Sequence, residues 1–204
     1  MSQPTQIYLP SPNQKGIISL EEAIARRKSV RYFTPQPISK WQLSQILWAA
    51  QGTSDASGNR TAPSAGATYP LEIFAVCGAN CIEQIGEGIY HYHTDSHSLT
   101  LHRQGDTRLE LARAALSQEY IYEAPVDIVI CAVYERTLRR YGTRGERYVH
   151  IEVGHAGQNI YLQATALGLG TVAIGAFSDE PVREVLRLDK QYRPLYIMPV
   201  GKPA

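Results

Sequence analysis

Residues Gly168–Phe177 read GLGTVAIGAF, and the fold turns on what stands either side of them. The first six, Gly168-Leu169-Gly170-Thr171-Val172-Ala173, match the G-x-G-x-x-A pattern of a dinucleotide-binding turn. That pattern carries its meaning only after a strand and before a helix. Here the order is reversed. A long helical stretch runs to about Leu167, and a short β-rich segment, Thr171–Ile174, follows. The glycines are therefore read as the end of a helix and the start of a tightly packed strand.

Working outward, Ser178 and Asp179 cap a helix through Leu186, and Leu195–Val200 reads as a last strand. Upstream, Val126–Tyr134 (VDIVICAVY) is a continuous apolar run, expected as a central strand buried on both faces. Leu71–Cys77 reads as a strand. Gly88–Tyr92 and Leu99–His102 read as a hairpin around Asp95-Ser96-His97. Asp106–Gln118 reads as one helix with Leu109, Ala112 and Leu116 on one face. Ser19-Leu20-Glu21-Glu22 and Ser39-Lys40-Trp41-Gln42 are capping boxes that open two earlier helices, with Pro35 and Pro37 between them. Helices and strands interleave with hairpins, so the expected class is α+β, a mixed central sheet flanked by helices. Residues 1–16 are read as an irregular lead-in and residues 17–204 as one domain, a size that a single core can support.

The formal net charge of +1 gives no global field for nucleic acid. No run of about 18 apolar residues suggests a membrane span. The N-terminus lacks the apolar segment of a secretory signal. Cys77, Cys81 and Cys131 have no metal-site spacing and are expected as free thiols in a reducing cytoplasm.

Arg26-Arg27-Lys28-Ser29-Val30-Arg31 places four cations and a hydroxyl within six residues. Guanidinium forks and a serine hydroxyl suit a phosphate, although a solvated basic helix end has the same composition. Thr61–Pro70 (TAPSAGATYP) is built of small residues. It is either a loop that lets backbone approach a flat ligand or an ordinary surface loop. No G-x-S-x-G surrounds Ser64, so a nucleophilic serine is not expected. His91, His93 and His97 lie on the hairpin without a completing carboxylate or thiol, and no metal site is assigned. Glu152, on the long helix with His150 and His155, is a candidate to pair with an arginine.

Together these segments resemble the nitroreductase-like flavoprotein superfamily. Arg27-Lys28-Ser29-Val30-Arg31 resembles its R-[R/K]-S-x-R signature. Pro63 to Pro70 resembles its proline–serine segment before a strand. Leu167–Phe177 resembles its flavin-edge strand, and Gly201-Lys202-Pro203 its C-terminal G-x-P. The likeness covers about residues 19–203. Within the superfamily it is nearest the branch of peptide azoline (SagB-type) dehydrogenases, through Arg60–Ala67, Gly88–Tyr92, Tyr141–Gly145 and Glu152–Asn159. That branch has a Lys-Tyr pair where this chain has Arg140-Tyr141, and a permanently charged guanidinium cannot act as a general base.

The resemblance implies an intertwined homodimer with two FMN molecules at its interface. Arg27 and Ser29 would hold the phosphate, helped by Lys28. Arg31 would face the ribityl chain and pyrimidine edge. Pro63, Ser64, Ala65 and Gly66 would lie along the ring system from one subunit. Ala173, Ile174, Gly175 and Ala176 would edge it from the other, with the Gly175 N–H near the reactive nitrogen. Lys202 is the C-terminal candidate for the phosphate. No side chain is assigned a catalytic role. Tyr69, Tyr141 and Tyr148 are candidates for lining the pocket. The implied activity is an FMN-dependent oxidoreductase that takes NAD(P)H as co-substrate if it is a reductase of small organic acceptors. The alternatives are a dehydrogenase of a peptide heterocycle and a flavin-binding protein without turnover.

Overall fold

In the computed structural model, which describes residues 6–204, the run read as a central strand is central. Val126–Ala132 (β5) is buried at every position. It pairs antiparallel with β2 (Leu71–Cys77) on one side and β7 (Arg193–Gly201) on the other. Beyond β2 come β3 (Gly88–His93), β4 (Ser98–Gln104) and β1 (Gln6–Tyr8). Beyond β7 lies β6 (Gly170–Thr171). Each pairing between these strands is antiparallel. A parallel bridge from Ser29 to Thr171 extends the sheet at the β6 edge.

Alternation along β5 divides the core. Val126, Ile128, Ile130 and Ala132 join the cluster containing Leu43, Ile46 and Leu47 of α2 (Lys40–Gln51) and Val149, Val153 and Ile160 of α6 (Arg144–Ala166). Val129 and Cys131 face Leu111 of α3 (Arg108–Ala114), Ile121 of α4 (Glu119–Glu123) and Val182 of α7 (Asp179–Val185). Each large aliphatic side chain buried this way contributes about 1.5–3 kcal/mol. Asp127 interrupts the run. It is fully buried and neither carboxylate oxygen has a hydrogen bond. Burial drives its pKa well above the ordinary value, against the pull of Arg108.

Both serine caps form. Ser19 Oγ accepts from the Glu22 N–H at the start of α1 (Leu20–Arg26), and Ser39 and Gln42 bond reciprocally at the start of α2. Gly168 ends α6 at φ +69, and Gly170 in β6 leaves no room for a Cβ, which would stand 2.7 Å from Val30. The helix-then-strand reading of the glycine motif is therefore correct.

Three readings of the sequence need correction. Of the expected lead-in, residues 1–5 lie outside the described residues, and Gln6–Tyr8 is not irregular but an edge strand. Asp106–Gln118 is not one helix. Leu116 and Ser117 both adopt left-handed φ, near +57° and +58°, which separates α3 from α4. Leu116 is consequently 65% exposed, and Ala115 takes the buried place. Glu135–Tyr141 forms a helix, α5, that the sequence reading passed over. Its arginine-rich sequence (ERTLRRY) offers little apolar periodicity. Gly142, at φ +55, separates it from α6. Cys77, Cys81 and Cys131 are free thiols. No described helix is long and apolar enough to cross a membrane.

Candidate functional site

The basic segment leaves α1 at Arg26 and runs along the β6 edge. Val30 donates its N–H to the Thr171 carbonyl at 2.9 Å, which fixes the segment against that strand. Arg26 pairs with Glu22, a full turn back. Among the described residues, no carboxylate pairs with Arg27, Lys28 or Arg31. Arg27 lies 5.0 Å over the ring of Tyr161, and Arg31 6.0 Å over that of Tyr120. Both guanidinium groups lie over aromatic rings, an attraction that leaves their charge unneutralised.

Tyr161, near the end of α6, joins two of the expected pieces. Its hydroxyl is 3.0 Å from Ser29 Oγ and accepts the Ala173 N–H at 2.8 Å. Ile174 then pairs with Ile197 in both directions, at 2.9 and 3.0 Å, as an isolated bridge, so the strand expected over Thr171–Ile174 is regular only at Gly170–Thr171. Gly175 and Ala176 are exposed beyond that anchor. The Ala176 carbonyl is held by Gln118. Lys202 is tied to the chain just past Arg31. Its carbonyl accepts the Thr34 N–H at 2.9 Å, and its Nζ donates to Gln36 at 2.8 Å.

Pro63–Gly66 stands elsewhere on the chain. Its described contacts are with α5 and the first half of α6. Ser64 Oγ accepts the Tyr69 N–H at 2.9 Å, closing the bend. Gly66 has φ +59 and its carbonyl accepts a hydrogen bond from Arg140 Nη1 at 3.0 Å, while a Cβ there would stand 2.5 Å from the Tyr141 hydroxyl. Arg140-Tyr141, singled out from sequence as a pair, thus seals the small-residue loop. Tyr148 packs edge-on against Tyr141 at 5.0 Å, and Tyr69 lies under Arg60 at 4.5 Å.

One chain therefore brings Arg27, Ser29 and Ala173 together around Tyr161, places Lys202 beside the Arg31 segment, and ties the Gly66 bend to Arg140 and Tyr141 of α5. The uncompensated cations and the small-residue loop both fit a phosphorylated, flat ligand. Tyr161 was not anticipated. Its only sequence signal is an aromatic in a long helix, and its hydroxyl partners come from distant segments.

Glu152 was expected near an arginine. Arg60 does act on it, but the carboxyl is buried. The histidines also differ from expectation. Glu72, on the neighbouring strand, stands 2.6 Å from His91 and also binds Arg136. Despite burial, those two hydrogen bonds hold Glu72 below its ordinary pKa. His93 bonds Thr100, and His155 is exposed.

Residues 24–202 match the nitroreductase family. A Methanocaldococcus jannaschii protein named as a candidate nitroreductase is 47% identical over 99% of this chain and 98% of its own length. The microcin B17-processing protein McbC of Escherichia coli is 30% identical over 73% of this chain, which spans 56% of that protein. Among solved structures, a candidate nitroreductase from Ralstonia eutropha superposes with a TM-score of 0.86. It is 29% identical, and the match covers 98% of this chain and 90% of that one.

Proposed function

This chain belongs to the nitroreductase family of oxidoreductases, and on that premise we propose that it is an FMN-dependent enzyme working as a homodimer. It would move hydride between a donor and a small organic acceptor. The observation that carries the proposal is the set of cations Arg27, Lys28 and Arg31, without a carboxylate partner among the described residues and joined through Ser29 and Tyr161 to the start of the Ala173–Ala176 segment.

Arg27 and the Ser29 hydroxyl would hold the phosphate, with Lys28 and Lys202 adding positive charge around it. Arg31 would favour the negative, reduced form of the ring system by its charge. Gly175, exposed past the Ile174–Ile197 anchor, would offer its N–H to the ring edge. Pro63–Gly66 of a second subunit would cover the ring. FMN bound there would supply the redox step, accepting hydride from one molecule and passing it to another.

A second reading, dehydrogenation of a peptide heterocycle, is favoured by Arg140 and Tyr141 on the Gly66 loop and by the likeness to the microcin-processing protein. Arg140 cannot supply a general base there. The visible spectrum of the purified protein, titrated with FMN, tests the proposal. FMN uptake followed by anaerobic bleaching with NADH or NADPH is expected of a reductase. Uptake without bleaching turns the reading to the dehydrogenase. No uptake at all sinks the flavin assignment.

A further inference from the structure

The flavin-site reading uses α6 only at Tyr161, but the same face of the helix leads on to a second polar cluster. Tyr161, Gly157, Gly154, His150 and Arg147 recur in steps of three or four, so they share one face. Tyr161 holds Ser29 and Ala173. Four residues back, a Cβ on Gly157 would stand 3.2 Å from Cε2 of Tyr196. Cε1 of the same ring would be 3.7 Å from a Cβ on Gly175. Tyr196 therefore links Gly157 to Gly175, the proposed edge of the flavin ring. Gly154 comes next, exposed and with open space where a Cβ would be.

His150 follows on that face. Its Nε2 lies 2.6 Å from the hydroxyl of Tyr134, just past the end of β5, and the two rings meet edge to face at 5.8 Å. Arg193, at the start of β7, lies 5.2 Å over the Tyr134 ring. No carboxylate pairs with Arg193 among the described residues. His150 is exposed and Tyr134 half-buried. A cavity of about 710 Å³, bounded also by Arg144 and Arg147, opens against His150. Seven residues separate His150 from Gly157, roughly 10.5 Å along the axis. The pair thus stands about the length of one small aromatic molecule beyond the ring edge.

A phenol hydroxyl can give up one proton, and an imidazole bonded to it can replace that proton. We propose that Tyr134 is a catalytic proton donor at the far end of the acceptor site, that His150 is the positioning residue which resupplies it, and that the acceptor is a flat para-quinone. This rests on the flavin reading above. Two-electron reduction of a para-quinone adds hydride at one oxygen and leaves a negative charge on the opposite one. The hydride and its two electrons come from the reduced flavin. The opposite oxygen takes the proton from Tyr134 Oη, so one O–H bond breaks as the hydroquinone O–H forms. The proton on His150 Nε2 then passes to the tyrosine oxygen, and exposed His150 regains one from water. Arg193 favours the transient phenolate by its charge. A quinone suits this geometry because its hydride and its proton enter at separated atoms, as Gly175 and Tyr134 are separated. A nitro group takes both at one end.

The test takes the FMN-loaded protein, reduced with dithionite without oxygen, and mixes it with para-naphthoquinone or with ferricyanide. Ferricyanide accepts electrons singly and takes up no proton. The naphthoquinone rate divided by the ferricyanide rate should fall about a hundredfold in Y134F and about tenfold in H150Q. A purely structural role would slow both acceptors alike and leave this ratio where it was. Binding gives a readout without turnover: α-tetralone offers one carbonyl and is not reduced. Its affinity for the oxidised protein, by calorimetry, should weaken about fivefold in Y134F, as expected for one lost hydrogen bond. An unchanged rate ratio in either variant, or an unchanged tetralone affinity in Y134F, overturns the assignment and leaves the flavin reading intact. If Y134F does not fold, the ratio in H150Q decides. No FMN uptake by the wild type overturns both.

Discussion

The hydroxyls of Tyr161 and Ser29 meet at 3.0 Å, although 132 residues separate them in the chain. The same tyrosine oxygen accepts the Ala173 N–H. Three segments that look independent in sequence, the basic turn, the long helix and the segment after β6, thereby share one atom.

Y161F removes that atom and keeps the ring under Arg27. The half-buried Ala173 N–H loses its partner, which costs about 1 kcal/mol. Thermal denaturation should show a modest loss of stability, and FMN affinity should fall about fivefold to tenfold as the Ser29 turn loosens. If both are unchanged, Tyr161 does not organise the site.

On the flavin proposal, Arg27→Ala would remove a charge-assisted contact to phosphate, worth about 1.5–3 kcal/mol. FMN affinity should fall roughly tenfold to a hundredfold in a fluorescence titration. The dependence on salt should weaken with it, because one fewer cation contributes to the attraction. Equal affinity for wild type and variant would mean that the cluster is a solvated helix end.

Asp127 should make the protein less stable as pH rises. Its folded pKa lies well above the ordinary value, so above ~4 the folded chain holds a proton that the unfolded chain has released. Stability contributed by that proton is complete below the unfolded pKa and is lost progressively toward the folded one, at up to about 1.4 kcal/mol per pH unit. D127N abolishes this slope. Denaturant melts at several pH values from about 5 to about 8 should therefore show the variant gaining on the wild type as pH rises. Parallel curves would mean that Asp127 is ionised in the folded state.

What could be read in advance follows from how local each signal is. The apolar run at Val126–Tyr134 implied a strand with two covered faces, and both faces are covered over the strand that forms, Val126–Ala132. The Ser39 and Gln42 cap depends on residues three apart and was visible in full. Arg27 and Ser29 were legible as a chemical cluster, but the aromatic beneath them was not, because Tyr161 reaches them only through the packing of α6. Leu116 was misplaced because the left-handed pair that turns it outward has no glycine to announce it. Glu152 looked like any helical carboxylate; its burial is set by the packing of α6, not by the residue type. Glu72 and His91 lie 19 residues apart and meet only once β2 and β3 pair.

Helix α6 acts as a ruler for the molecule. Residue 150 meets Tyr134 and residue 161 meets Ser29, roughly 16.5 Å apart along the axis at the usual rise. A single residue inserted between them would swing the far half by about 100° and carry the tyrosine off the basic turn. Relatives that diverge in what they accept are therefore expected to vary in the connectors, such as residues 53–60 and the turn after α5, while the count of residues between these two positions stays constant.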